Sequence, residues 1–332
     1  MSSGIKNFNY SYDVNKINRV VSQSIDNTIT QINNQVDLDS FDFDEIDNSI
    51  ELNVPKGDWI FGDEAISTGQ FGGSQGRLIA NFDKIYADDP IIKEIIEKYY
   101  PDASMEDIEL LFSKMEDTGC GYIAAINTLF SEYSIKSPEE FYQHFGYYPT
   151  IERYNKGLEK EVTFYNYDYM FLDFFLYHAK TKGYSSIEEV YGNIKEIKDL
   201  ENQEKEITIE ETGMDGTYET EVAKLFVDYL KEKGIELNVT TYDQPLDSKT
   251  INKILNDGDK IVIGGESFDL YDPTDVNNNN VLDDVSRDNV EPHTMHLVGT
   301  TSDPSKVVVS SWGEEYIMNI EDITDCVIYS YD

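Results

Sequence analysis

The sequence predicts an α+β protein, and three observations carry that expectation. Apolar residues recur every three or four positions early in the chain, most clearly at Val14, Ile17, Val21, Ile25, Ile29, Ile32 and Val36. Two-residue alternation takes over later, as in Ile235-Glu236-Leu237-Asn238-Val239-Thr240-Thr241-Tyr242. Between the two regimes a cysteine, Cys120, opens an uninterrupted apolar helical pattern. Helices first and strands later imply a helical half and a sheet that meet at a cleft.

Taken in order, residues 12–36 read as an amphipathic helix and Asp37 to Asp44 as a polar loop or extended segment. Residues 1–100 as a whole form an expected helical and irregular N-terminal extension, with residues 101–332 as the main domain. The run Gly69-Gln70-Phe71-Gly72-Gly73-Ser74-Gln75-Gly76 marks a flexible turn. It lacks the Lys-Ser/Thr ending of a phosphate-binding loop. A helix is predicted over 89–100, with Pro90 at its start and Pro101 beyond its end. Another runs from an N-cap at Ser104, with Asp107 three residues on, to about Met115.

From Cys120 to about Lys195 the pattern is mainly helical, and the aromatic stretch from Tyr165 to Lys182 reads as core. His144 and His178 read as structural or surface residues, and residues 202–216 as an acidic loop or hairpin. Then come a helix near 220–233, a strand over 235–242, a short helix over 249–256 and a turn at Asp257-Gly258-Asp259. Strands are predicted at 260–265, 293–299 and 306–313.

Composition narrows the function. The chain has 332 residues, 39% hydrophobic and 13% aromatic, enough for a sizeable core. It carries 65 acidic against 26 basic side chains, a net charge of −39, which repels nucleic acid and anionic membranes. No apolar run approaches the roughly 18 residues of a transmembrane helix, so no membrane insertion is expected. The N-terminal residues lead into no apolar signal segment. The two cysteines, Cys120 and Cys326, lie in unlike contexts, so no disulfide framework is expected.

Cys120 is the candidate nucleophile. In Asp117-Thr118-Gly119-Cys120-Gly121 it reaches the first turn of a helix, where unsatisfied N–H groups and the helix dipole favour thiolate. Gly119 and Gly121, without Cβ atoms, would let a substrate backbone approach. The same pattern fits a small buried core thiol, so the partners matter. A cysteine nucleophile needs a base, and the base needs an orienting group. Two histidines, His293 and His296, fall in the β half. Their odd spacing on one strand puts them on opposite faces, so only one can face Cys120.

His293-Thr294-Met295-His296-Leu297-Val298-Gly299, followed by a Val-rich strand and Ser310-Ser311-Trp312-Gly313, resembles the papain-like cysteine peptidases. Cys120-Gly121 opening a small-residue helix is similar to their bacterial branch that processes double-glycine leader peptides. The resemblance covers the β half and the surroundings of Cys120, and not residues 1 to about 100. It implies a papain-like fold, a peptide or protein substrate and no required cofactor. It makes Cys120 the nucleophile and His293, six residues before Gly299, the general base. It sets Ser310 where the family has Asn or Asp, and makes Trp312 the cover of the orienting hydrogen bond. The family's upstream Gln is absent from Ser113 to Asp117. Those two departures leave open a catalytically degenerate relative that binds a protein partner, or a thiol acyltransferase or deamidase.

A second motif, from Asp275 to Asp284, resembles the start of an EF-hand or dockerin calcium loop. It offers Asp275, Asn277, Asn279 and Asp283 as ligands, with Asn280 in place of the turn glycine and Ser286 in place of the bidentate Glu. An Asn-rich surface turn is the other reading.

Overall fold

The structure is a computed structural model. It describes residues 52–53, 72–80, 82, 89–133, 138–155, 160–192, 214, 219–242, 246–273 and 283–331. The predicted helix over 12–36, the polar segment 37–44 and nearly all of the acidic stretch 202–216 lie outside the described residues. Residues 50–153 and 161–332 form one compact unit.

In chain order the elements are β1 (Leu52–Asn53), α1 (Arg77–Ala80), α2 (Pro90–Tyr99), α3 (Met105–Thr118), α4 (Cys120–Tyr133) and α5 (Pro138–Phe145). Then come β2 (Thr150–Asn155), β3 (Lys160–Tyr165), α6 (Tyr167–Thr181), α7 (Ile187–Tyr191) and α8 (Glu219–Glu232). The β half holds β4 (Leu237–Thr241), α9 (Ser248–Asn256), β5 (Lys260–Gly265), β6 (Phe268–Tyr271), β7 (Val285–Val290), β8 (His293–Thr301), β9 (Lys306–Ser311), β10 (Glu314–Asn319) and β11 (Asp325–Tyr331). The α+β expectation is met: helices stand beside an antiparallel sheet ordered β4-β11-β5-β8-β9-β10-β6-β7, with β1 paired to β8.

Local chemistry sets the helix ends. Asp89 accepts from Ile91 and Ile92 N–H at 2.9 and 3.1 Å, with Pro90 in the first turn where its missing N–H costs nothing. Ser104 and Asp107 close a reciprocal capping box on α3. The mainly helical pattern expected from Cys120 to about Lys195 is interrupted at 150–155 and 160–165, where β2 and β3 form a two-stranded sheet. The signal is present in the alternation Lys160-Glu161-Val162-Thr163-Phe164-Tyr165, and the aromatic density on either side obscures it.

The sheet separates two apolar clusters. Val262, Val298, Val308, Val327 and Tyr329 pack with α2, α3, α4, α6 and α8. Ile261, Ile263, Met295, Leu297, Val307 and Val309 pack on the opposite side with Ile251 and Leu255 of α9. Every residue of β8 and β9 is buried. Their ladder shifts register between Leu297 and Gly299, a bulge that lets the strands follow the twist.

One buried carboxylate ties the helical layer together. Asp173 on α6 accepts from Lys98 Nζ and Tyr99 Oη at 2.8 Å through one oxygen, and from Tyr229 Oη and Lys233 Nζ at 2.9 Å through the other. Burial pushes this carboxyl up, but the ammonium groups of Lys233 and Lys98 outweigh it and bring it down to about 2. A carboxyl lowered on folding favours the folded state fully above its unfolded value of roughly 3.9. That contribution is lost as pH falls toward about 2. We expect Asp173→Ala to destabilise the fold by about 3–5 kcal/mol in urea unfolding at neutral pH, because two ammonium groups lose their counter-charge. The difference from the parent protein should shrink in acid; equal unfolding midpoints at neutral pH would contradict this role.

Candidate functional site

Helix α3 runs into α4 with only Gly119 between them. Gly119 caps α3 in a helical conformation, and its carbonyl accepts from Ile123 N–H at 3.1 Å, so the chain bends and starts again at Cys120. Gly119 does not open a path for substrate, as its sequence context suggests. A Cβ there would stand 2.3 Å from both the Met115 carbonyl oxygen and the Phe171 ring. The space beside it is a packing contact, filled by α6. Gly121 is buried, and its N–H lies close to the Cys120 sulfur.

Cys120 keeps part of its surface exposed. Burial raises its thiol above the ordinary value. The Thr294 N–H and hydroxyl and the N–H groups of Gly121 and Cys120 itself, all close to the sulfur, act the other way without reversing it. The helix N-terminus therefore does not by itself yield a thiolate. A favourable dipole contributes at most about 2 kcal/mol in a partly buried setting, whereas desolvating an ion costs several.

Strand β8 decides where the histidines go. Thr294 faces Cys120 and Glu219, and Val298 belongs to the helix-side core, so His296 between them shares that side. His296 is fully buried and lies opposite Ser310 in register. His293 shares the other side of the strand with Met295 and Leu297. Its Nε2 is 2.6 Å from Ser311 Oγ, and its ring stacks on Trp312 with centroids 4.1 Å apart and planes within 12°. Cys120 and His293 therefore lie on opposite sides of β8, and the histidine that shares the Cys120 side of the strand is His296, not the His293 that the resemblance singles out as base. Cys120 and His293 share no hydrogen bond in this structure. Burial, and then the Arg287 guanidinium, bring His293 down to about 3, so its imidazole is neutral at physiological pH.

Trp312 is held in an unusual way. It and Gly313 form the two-residue turn between β9 and β10, with φ of +49° and +78°. Such turns favour Asn-Gly, and a bulky residue in the left-handed region costs on the order of 1–3 kcal/mol. Arg287 lies 4.1 Å from the same indole, and its Nε donates to Tyr316 Oη at 2.9 Å.

Ser310 is not the group that orients His293. It points to the helix side, where Asn127 Nδ2 donates to its Oγ at 3.4 Å. Strand pleat gives the neighbour Ser311 to His293 instead. The glycine run predicted as a flexible turn is in part built into this region. Gly73 N–H donates to Asn127 Oδ1 at 2.9 Å, and a Cβ on Gly72 would sit 2.3 Å from Ser310 Oγ. Gln75, from the same run, donates through Nε2 to the Glu116 carbonyl at 2.5 Å, one turn before Cys120.

Sequence reasoning missed Thr294, Ser311, Arg287 and Glu219. The first two adjoin residues it singled out and were recoverable from pleat; Arg287 and Glu219 carried no local signal. Among the calcium-loop residues, Asp275, Asn277 and Asn279 lie outside the described residues, while Asp283 is described. No group of three or more His, Cys, Asp or Glu side chains that could hold a metal occurs among the described residues. No helix among them is long and apolar enough to cross a membrane. A cavity of about 870 Å³ lies between β11, β4 and the start of α9, lined by Tyr242, Leu246, Ile323 and Cys326 among others. Its lining includes neither Cys120 nor either β8 histidine, so it is not the cleft of that thiol.

A scan against protein-family models finds no match, and no curated protein matches the chain. The site therefore rests on its own geometry.

Gly119→Ala should lower stability by roughly 1–3 kcal/mol, the range for overpacking a filled core, and shift Cys120 with it. Thermal unfolding checks this. A variant as stable as the parent would mean that the space at Gly119 is open after all.

Proposed function

We propose that this protein is a papain-like cysteine peptidase, hydrolysing peptide or isopeptide bonds through an acyl-enzyme on Cys120. The observation that carries the reading is the setting of His293. Its ring is stacked on a tryptophan held at positive φ and tied by Nε2 to Ser311, at the start of the strand whose next residue, Thr294, touches Cys120. Strain of this kind clusters at functional sites.

In this mechanism Ser311 engages Nε2, which leaves Nδ1 to take the thiol proton as sulfur attacks the scissile carbonyl. The carbon–sulfur bond forms as the carbonyl π pair moves onto oxygen, and the negative charge there lies at the positive end of the α4 dipole. His293 then returns its proton to the leaving amine as the carbon–nitrogen bond breaks. Water, deprotonated by the same imidazole, releases the acid from Cys120. The absence of a thiol–imidazole hydrogen bond in this structure is compatible with that sequence, since such bonds often tighten only when substrate is bound. His293 is neutral and able to accept a proton. Burial and the Arg287 guanidinium leave it a weak base for a raised thiol, so proton transfer in this mechanism requires the ring's surroundings to change when substrate binds.

The raised thiol, the weakened basicity of His293, the strand between the two and that same missing hydrogen bond favour a second reading, a degenerate relative that binds a protein partner in the cleft. A peptide library with products read by mass spectrometry separates the two. We expect hydrolysis by the parent protein, none by Cys120→Ala, and a fall of about 10²–10⁴-fold for His293→Ala. Ser311→Ala should cost more activity than Ser310→Ala. If the parent releases no product and Cys120 alkylates at the same rate with and without His293, the peptidase reading fails and the binding reading stands.

A further inference from the structure

Glu219 is the first residue of α8 and is 5% exposed, an unusual place for a carboxyl group. Space for it exists because residue 264 is glycine: a Cβ there would stand 3.0 Å from Glu219 Oε2. Thr294 Oγ lies 3.5 Å from that oxygen, and the same hydroxyl reaches the Cys120 sulfur. A threonine hydroxyl has one proton to donate. It can serve the carboxylate or the sulfur, and not both at once.

We propose that Glu219 is a positioning residue which, through the Thr294 hydroxyl, decides whether Cys120 is held as thiol or released as thiolate. With Glu219 ionised, the Thr294 proton turns to the carboxylate, and the negative charge two groups away opposes a second one on sulfur. With Glu219 protonated, its O–H donates to Thr294 Oγ, and the Thr294 proton turns to the thiolate. The inference rests on the reading of Cys120 as nucleophile and adds a residue that the reading did not contain.

The surroundings suit such a role. From β11, Asp325 and Tyr329 interact with Glu219; β4 contributes no titratable residue, β8 contributes His296, and β5 contributes Gly264 beside the carboxyl and, four residues away on the same face, Lys260, which acts on His296. On α8 itself Glu221 is paired with Lys182 at 3.0 Å, and it acts with Lys182 on His178 of α6. Burial and Asp325 push the Glu219 carboxyl up, while its own N–H and Thr294 draw it down. No cation among these groups fixes it in the ionised form.

The test is the rate of Cys120 alkylation by iodoacetamide across pH, resolved from Cys326 by peptide mass mapping. Glu219→Gln keeps the shape, removes the charge and donates an N–H to Thr294. The thiol should then titrate about one pH unit lower and label about tenfold faster at neutral pH, the equivalent of one pKa unit. Thr294→Val in that background should remove the gain, and Thr294→Ser should keep it. Identical titration of the parent and Glu219→Gln, or a gain that survives Thr294→Val, overturns the proposal. Should Glu219→Gln fail to fold, Glu219→Ala decides. That change, which removes the carboxylate and frees the Thr294 proton, should lower the thiol in the parent and Thr294→Ser backgrounds and not in Thr294→Val; equal titration with and without the carboxylate overturns the idea. Alkylation needs no substrate, so a peptide-hydrolysis failure and a failure of this coupling are read separately.

Discussion

Strand β8 is buried along its whole length, and that constraint governs the site. Each of its side chains must enter one of two cores, and the pleat makes the assignment alternate. Thr294, His296 and Val298 go to the helix layer, while His293, Met295 and Leu297 go to the layer closed by α9. A one-residue slip would send Met295 and Leu297 against α4 and strand the histidines in the wrong cores. Register is therefore fixed by apolar burial on both sides, and the polar residues inherit positions that the apolar ones determine. β9 obeys the same rule. Val308 and Ser310 look one way, Val309 and Ser311 the other, which is how two adjacent serines come to serve different partners.

The thiol is where local and tertiary effects compete. A helix N-terminus and several backbone and hydroxyl donors favour thiolate, but burial wins and the thiol stays raised. A protein with 39 excess negative charges adds no long-range help. Activation at this site has to come from a specific group brought close, an imidazole from across β8 or a proton shift through Thr294, because no general feature of the environment supplies it.

Much of the fold was legible because local signals agreed with burial. Asp89-Pro90, Ser104 with Asp107 and the alternation from Ile235 onward each specify a cap or a period that no tertiary contact overrides. Residues 150–165 are ambiguous in sequence because aromatic residues satisfy helix and strand patterns alike when flanked by more of the same. The site was legible at Cys120, His293 and Trp312, where a motif concentrates several residues. It was not at Glu219, which lies far from Cys120 in sequence, nor at Ser310 against Ser311, where only the register distinguishes neighbours. Gly119 shows the opposite failure. Its sequence context suggests access for a substrate, and the space is occupied by Phe171.

Trp312 shows how the β half bears the cost of positioning. A two-residue turn between β9 and β10 is most stable with Asn or Gly at its first position, and tryptophan there is held against its backbone preference. What it gains is a flat contact with His293 on one hand and Arg287 on the other, both 4.1 Å from the indole. Stacking and cation–π contacts each contribute about 0.5–2 kcal/mol, comparable with the strain. The net stability of the turn is then near zero, and tryptophan has no advantage there as a turn residue. Its advantage lies in immobilising the His293 ring, whose polar contact is Ser311. Fixing an imidazole in one orientation matters for proton transfer and contributes little to folding. The turn is better understood as part of the site than as part of the scaffold.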